Sequence, residues 1–105
     1  MTSFHTYTEQ EYLDEFVDPR DHQEVRETID RRVAEHCGRR LAELRRQEGF
    51  TQKQVAESLG VTQQRVSAIE RGAIGEIDTL KGYVGAIGGR LRIMADFGGD
   101  MRQVA

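Results

Sequence analysis

Apolar and polar positions follow two different periods along this chain, and the changes of period divide it into elements. Between residues 51 and 72, Val55, Ala56, Leu59, Val61, Val66 and Ile69 recur at roughly three- and four-residue spacing. That is the stripe a helix turns toward a core. Two caps cut the stripe into two helices. Thr51 is placed to accept from free N–H groups at the start of a helix over 52–59, and Gly60 supplies the left-handed position that ends it. Thr62 caps a second helix over 63–71, which Gly72 ends. Only Gly60 and Val61 separate the first helix from the second cap, so the pair must turn sharply and share one small core. Ala56 is small where the helices would cross.

The flanks carry weaker patterns. Residues 1–7 show no usable period and are expected to be mobile. From the cap Thr8 a short amphipathic helix is expected over 9–16, with Tyr12, Leu13 and Phe16 on one side. Asp18-Pro19 breaks it and restarts a longer helix through Val25, Ile29 and Val33. Its narrow stripe fits either packing on the domain or a surface awaiting a partner. A break is expected at Cys37-Gly38, before Arg39 opens the two-helix region. Downstream, Asp78 is expected to cap a helix carrying Leu80, Tyr83, Val84 and Ile87, ended by Gly88-Gly89. The period then becomes two. Leu91, Ile93, Ala95 and Phe97 alternate with Arg90, Arg92, Met94 and Asp96, which predicts a strand with one apolar face. No second strand is legible, and an unpaired strand leaves its backbone groups unsatisfied. The economical partner is the same strand of a second copy across a twofold axis, with Leu91, Ile93, Ala95 and Phe97 as the dimerisation residues. The strand could instead cover its own helices or fold against a different protein. The expected fold is mainly α: an acidic helical extension (1–37), a five-helix-type helix-turn-helix domain (38–89) and a C-terminal strand and tail (90–105).

The outer face of the second helix carries the candidate chemistry. Gln63, Gln64, Arg65, Ser67, Ala68 and Arg71 lie outside the stripe, with two amides and a guanidinium in the first turn. Amides suit adenine in the major groove, and guanidinium suits guanine or phosphate. Gln52, at the amino end of the preceding helix, could grip a phosphate together with local N–H groups. The bland alternative is a solvated polar face on an ordinary helical hairpin. The stretch resembles the Cro/C1-type (XRE) helix-turn-helix family, and Thr62-Gln63-Gln64 is similar to the start of the recognition helix in lambdoid phage repressors. The resemblance implies a lambda repressor-like domain in which Gln63, Gln64 and Arg65 read bases and Gln52 with Thr51 clamps a phosphate. Thr62, Ser67 and Arg71 complete the DNA-facing set. It also implies a partly buried salt bridge between Arg45 and Glu70, a structural pair rather than a reading one. One departure stands out: the loop Ala73-Ile74-Gly75-Glu76-Ile77 has no basic residue where phage repressors carry them, which predicts weaker binding and a shallower salt dependence.

Charge sharpens this division. The net charge of −3 hides an asymmetry: residues 1–37 hold four basic and ten acidic side chains, whereas 38–72 hold seven basic and four acidic. The middle is suited to polyanions, and the front to something basic or to water. A length of 105 residues allows one small domain with extensions. One cysteine excludes an internal disulfide, and no apolar stretch is long enough for a signal peptide or membrane span, so a cytoplasmic protein is expected. No enzyme is expected, and no cofactor or metal. His5, His22 and His36 are scattered, Cys37 and His36 point apart as helix neighbours, and the glycine pairs at 88–89 and 98–99 are turn signals.

Taken together, the acidic helical front, the XRE domain and the strand after Gly88-Gly89 resemble a HigA-type antitoxin of a type II toxin-antitoxin pair. That resemblance implies a homodimer that binds a palindromic operator, represses its own operon and neutralises a basic RelE/HigB-like messenger RNA endonuclease. The contact residues would include Glu11, Tyr12, Leu13, Asp14, Glu15 and Phe16, whose carboxylates complement a basic toxin. The rival readings are a stand-alone phage-like repressor and a protein-interaction module that keeps the helix-turn-helix as scaffold.

Overall fold

The computed structural model describes residues 8–105, so the expectations for residues 1–7, and His5 with them, lie outside the described residues. Among the described residues there are five α-helices and two strands: α1 (Glu9–Phe16), α2 (His22–Gln47), α3 (Gln52–Leu59), α4 (Gln63–Glu70), α5 (Ile77–Ala86), β1 (Met94–Phe97) and β2 (Asp100–Gln103). The chain is mainly helical, as its periods predict. It divides into two compact units, the first ending at Val33 and the second spanning Ala34–Ala105.

In the first unit, Thr8 caps α1 by accepting from the Glu11 N–H at 3.2 Å. Asp18 accepts from the Arg20 N–H at 2.9 Å, with Pro19 opening a single 3-10 turn that leads into α2. Arg26 of α2 bonds to Gln10 and pairs with Glu9 at 3.2 Å, tying the two helices together. Leu13 is fully buried, while Tyr12 and Phe16 are exposed with ring centroids 5.3 Å apart. Leu13 therefore does not share a side with these aromatics and is not on offer to a partner. Successive helix residues point about 100° apart, so only the i, i+4 pair stacks outward.

In the second unit the core is Leu41, Val55, Ala56, Val66, Ile69, Tyr83 and Ile87, with Leu44, Phe50, Leu59, Leu80 and Val84 packed around it. Three expectations fail here for physical reasons. Val61 is 40% exposed rather than core. It closes α3 through its backbone, its N–H donating to the Ala56 carbonyl at 3.0 Å, and the side chain is left at the rim. Asp78 does not cap α5, which starts at Ile77 after Glu76 and has no side-chain cap; Asp78 instead lies in the first turn, where a carboxylate suits the positive end of the helix dipole. Most consequentially, α2 does not break at Cys37-Gly38. A Cβ on Gly38 would lie 2.6 Å from the Glu70 carbonyl oxygen and 2.7 Å from that of Ile69. The glycine is there for the close approach of α4, not to end a helix.

The C-terminal strand also has its partner within the chain. β1 and β2 pair antiparallel, from Phe97 opposite Asp100 to Met94 opposite Gln103. The two-residue loop Gly98-Gly99 has positive φ at both positions (66° and 97°), which is the twist a tight hairpin needs. The premise of an unpaired strand is thus overturned. Leu91 and Ile93 precede β1, although Ile93 still exchanges backbone bonds with Val104 and Ala105 at the open end of the hairpin. Ala95 and Phe97 share a face with Arg102, whose guanidinium lies 4.7 Å from the Phe97 ring centre. The second strand escaped notice because Asp100-Met101-Arg102-Gln103 has no apolar alternation; only the glycine pair announces it.

Candidate nucleic-acid interface

Local hydrogen bonding sets the two helices of the motif. Thr51 and Gln54 form a reciprocal capping box: Thr51 Oγ1 accepts from the Gln54 N–H at 3.1 Å, and Gln54 Oε1 accepts from the Thr51 N–H at 2.8 Å. Gly60 ends α3 in the left-handed conformation, and Thr62 starts α4 by accepting from the Arg65 N–H at 3.1 Å. The threonines expected at the interface thus have their hydroxyls engaged in capping. Gln54 was legible as the fourth residue of the capping-box signature and was missed.

On α4 the side chains of Gln63, Gln64 and Arg65 are exposed. Gln63 and Gln64 line one polar groove with Gln52 and Ser67. Gln63 Nε2 donates to Gln52 Oε1 at 3.4 Å. Arg65 turns away, its Nη1 donating to the Ala73 carbonyl at 3.3 Å, and Arg71 donates to Ser67 Oγ at 2.6 Å. The sequence-predicted residues therefore gather around Gln52, Gln63, Gln64 and Ser67, with Arg71 attached and Arg65 drawn toward the following loop.

Beneath this groove lies a buried ionic cluster. Arg45 and Glu70 are each 8% exposed and bidentate, with Nη2 to Oε1 at 3.0 Å and Nε to Oε2 at 3.2 Å. Arg45 also donates to the Phe50 carbonyl at 3.0 Å. Glu70 Oε2 accepts further from the Tyr83 hydroxyl at 3.1 Å and from Gln52 Nε2 at 3.4 Å. Every oxygen of the buried carboxylate is thus partnered, and the cluster reaches through Gln52 to Gln63. The hydrogen bond to Glu70 raises the Arg45 guanidinium above its ordinary value. Burial, reinforced by the Glu70 charge, pushes the Tyr83 phenol up to about 12. The spacing of Tyr83 predicts a core position, and nothing in it marks where the hydroxyl points.

The raised phenol gives a pH dependence of definite sign. The folded state holds this proton to about pH 12, whereas the unfolded chain releases it near the ordinary phenol value of 10.0. Between those values the unfolded state binds fewer protons, so stability is intact below about pH 10 and falls as pH rises toward 12. Tyr83→Phe should remove that contribution to the fall. At neutral pH it should cost about 1.5–3 kcal/mol, the range for a hydrogen bond to a charged group. Urea denaturation across pH 8 to 12 reads both effects, and an unaltered alkaline slope in the variant would exclude Tyr83 as its source.

Among the described residues no His, Cys, Asp and Glu cluster could hold a metal ion, and no helix is long and apolar enough to cross a membrane.

The helix-turn-helix family matches residues 41–83, the stretch that holds these side chains. The candidate antitoxin HigA3 of Mycobacterium tuberculosis (strain ATCC 25618 / H37Rv) is 50% identical over 62 residues, covering 56% of this chain and 57% of that protein. The chain thus spans little more than half of that relative. The candidate antitoxin HigA2 of the same strain is 43% identical over 81 residues, covering 71% of this chain and 80% of HigA2. Among solved structures, a HigA antitoxin whose unique dimerization induces DNA bending is similar with a TM-score of 0.55 and 45% identity, covering 61% of this chain and 88% of that one. The DNA-bound antitoxin HigA3 is similar at 0.55 and 43%, covering 61% and 86%. With four fifths of HigA2 matched at 43% identity, this chain belongs to the HigA antitoxin family and carries its Cro/C1-type helix-turn-helix.

Proposed function

We propose that this protein is a DNA-binding antitoxin that represses its own operon as a homodimer and neutralises a basic RelE/HigB-like messenger RNA endonuclease by direct contact. The observation that carries the reading is the groove of Gln52, Gln63, Gln64 and Ser67 on the outer face of a capped α4, in a family with a DNA-bound member. Gln63 and Gln64 read base edges, Arg65 joins them on leaving the Ala73 carbonyl, and Thr51, Gln52, Thr62 and Arg71 contact the sugar-phosphate frame. Dimerisation is assigned to the C-terminal hairpin. Both its outer edges are open, and Met94, Phe97, Met101 and Val104 are each more than 40% exposed. A two-stranded hairpin is marginal by itself, and pairing or packing with a second copy would stabilise it. Two recognition helices could then meet successive major grooves about 34 Å apart.

The toxin contact is assigned to the exposed side of α1, where Tyr12 and Phe16 stand among Glu11, Asp14 and Glu15. The acidic front of the chain complements a protein whose surface binds RNA. One experiment tests both halves: co-expression with the adjacent reading frame, co-purification, and footprinting on the shared upstream DNA. Gln64→Ala should weaken specific binding by about 1–3 kcal/mol. Unchanged specific retention would remove Gln64 as a reader. A basic partner that co-purifies is expected to be lost with Tyr12→Ala/Phe16→Ala. Operator binding with no partner in the adjacent frame would favour a stand-alone repressor.

A further inference from the structure

Beside the reading groove, and sharing Gln52 and Ser67 with it, lies a second groove whose wall is α2. Arg39 and Arg46 line it from α2 and Arg71 from the end of α4, and all three are exposed. Its two acids are already engaged. Glu43 pairs with Arg40 at 2.9 Å, and Glu70 is held by Arg45. Among the described residues the guanidinium of neither Arg39 nor Arg46 has an ion-pair or hydrogen-bond partner, while Arg71 spends one N–H on Ser67. The groove thus presents three cationic groups that the fold does not neutralise. Arg39 and Arg46 are seven residues apart, two helical turns, so they share one face with a separation of about 10 Å along the axis.

We infer that Arg39 and Arg46 of α2 form a phosphate-binding rim that holds the DNA backbone alongside the bases read by α4. The inference rests on the DNA-binding reading above and deepens it. It answers the departure noted in the sequence: the loop at 73–77 offers no cation, and the backbone contacts come from the opposite side of α4, where arginine forks match phosphate geometry. Arginines with no partner in the protein keep their donors available, and their position next to Gln52 places them along the edge of a groove-bound duplex rather than over its bases.

The test is a salt titration of binding to a short mixed-sequence duplex and to the upstream operator DNA, with the full chain, between about 50 and 200 mM salt. Arg39→Gln/Arg46→Gln should lower affinity on both duplexes by a similar factor, on the order of tenfold at the low-salt end, and reduce the slope of log K against log salt by about 1.8, or 0.9 per phosphate contact. Arg39→Lys/Arg46→Lys should restore most of the slope. Lys81→Gln/Arg90→Gln, which removes the same charge elsewhere, should leave the slope nearly unchanged. If the wild-type chain binds operator while the glutamine pair alters neither affinity nor slope, the rim is wrong and the DNA reading stands. An equal loss in the Lys81/Arg90 variant would also overturn it, since net charge alone would then explain the effect. Failure of the wild-type chain to bind either duplex would remove the reading and the rim together.

Discussion

Replacing Arg45 by Ala should cost about 3–5 kcal/mol of stability, the range for removing one partner of a buried ion pair. The size follows from what is left behind rather than from the attraction lost. Glu70 would stay in a site where it is 8% exposed, with only Tyr83 and Gln52 to bond its oxygens. The Phe50 carbonyl would lose its donor as well. At roughly 4–8 °C per kcal/mol for a domain of this size, the melting temperature should fall by more than roughly 10 °C. Arg45→Met/Glu70→Leu should be markedly less damaging than Arg45→Ala, because well-packed apolar replacement of both partners is often neutral. A thermal melt of the two variants and wild type settles the order. A loss below about 1 kcal/mol in Arg45→Ala would place the pair in the class of exposed surface bridges. The double variant carries a second consequence: Gln52 loses the carboxylate that holds its amide. Specific DNA binding should therefore weaken even where stability is regained.

The motif was legible because its signals are local. Thr51, Gly60 and Thr62 act on backbone groups within three or four residues, and each does what its type and position predict. The apolar stripe likewise located Val55, Val66, Ile69, Tyr83 and Ile87 in the core. What escaped depends on approach between segments distant in sequence. Tyr83 as a hydrogen-bond donor needs Glu70, thirteen residues earlier, to be brought against it. Leu13 reads as one of three neighbouring apolar residues, and only the fold shows that it alone is buried while Tyr12 and Phe16 stay exposed. Arg65 reads as a member of the first-turn triad, yet the Ala73 carbonyl captures its guanidinium, a contact set by how the chain leaves α4. The α2 arginines carried no signal beyond local charge, because nothing in their spacing says which groove they border.

Gly38→Ala is the case where local propensity and packing make opposite forecasts. Within a helix interior, Ala is favoured over Gly by about 0.5–1 kcal/mol, so substitution in a helix as long as α2 should stabilise it if nothing lies nearby. Here the added methyl would meet Glu70 O at 2.6 Å, Ile69 O at 2.7 Å and the Glu70 carbonyl carbon at 2.8 Å. All three are backbone atoms at the end of α4, which no side-chain rotation can clear. Relief requires α2 and α4 to separate, and that also strains the Arg45–Glu70 pair, whose carboxylate sits on the displaced residue. The cost should lie near the upper end of the usual overpacking range, about 3 kcal/mol, outweighing the propensity gain. Gly85→Ala is the matched control, because it lies within α5 and a Cβ there meets nothing within 4 Å. It should gain roughly 0.5–1 kcal/mol. Opposite signs for the two variants in urea denaturation are the expected result; a Gly38→Ala protein as stable as wild type would mean that α4 does not press on α2 in solution. Because the residues that must move end α4, whose outer face is the proposed DNA-reading surface, any Gly38→Ala protein that remains folded should also bind DNA less well, whereas Gly85→Ala should not.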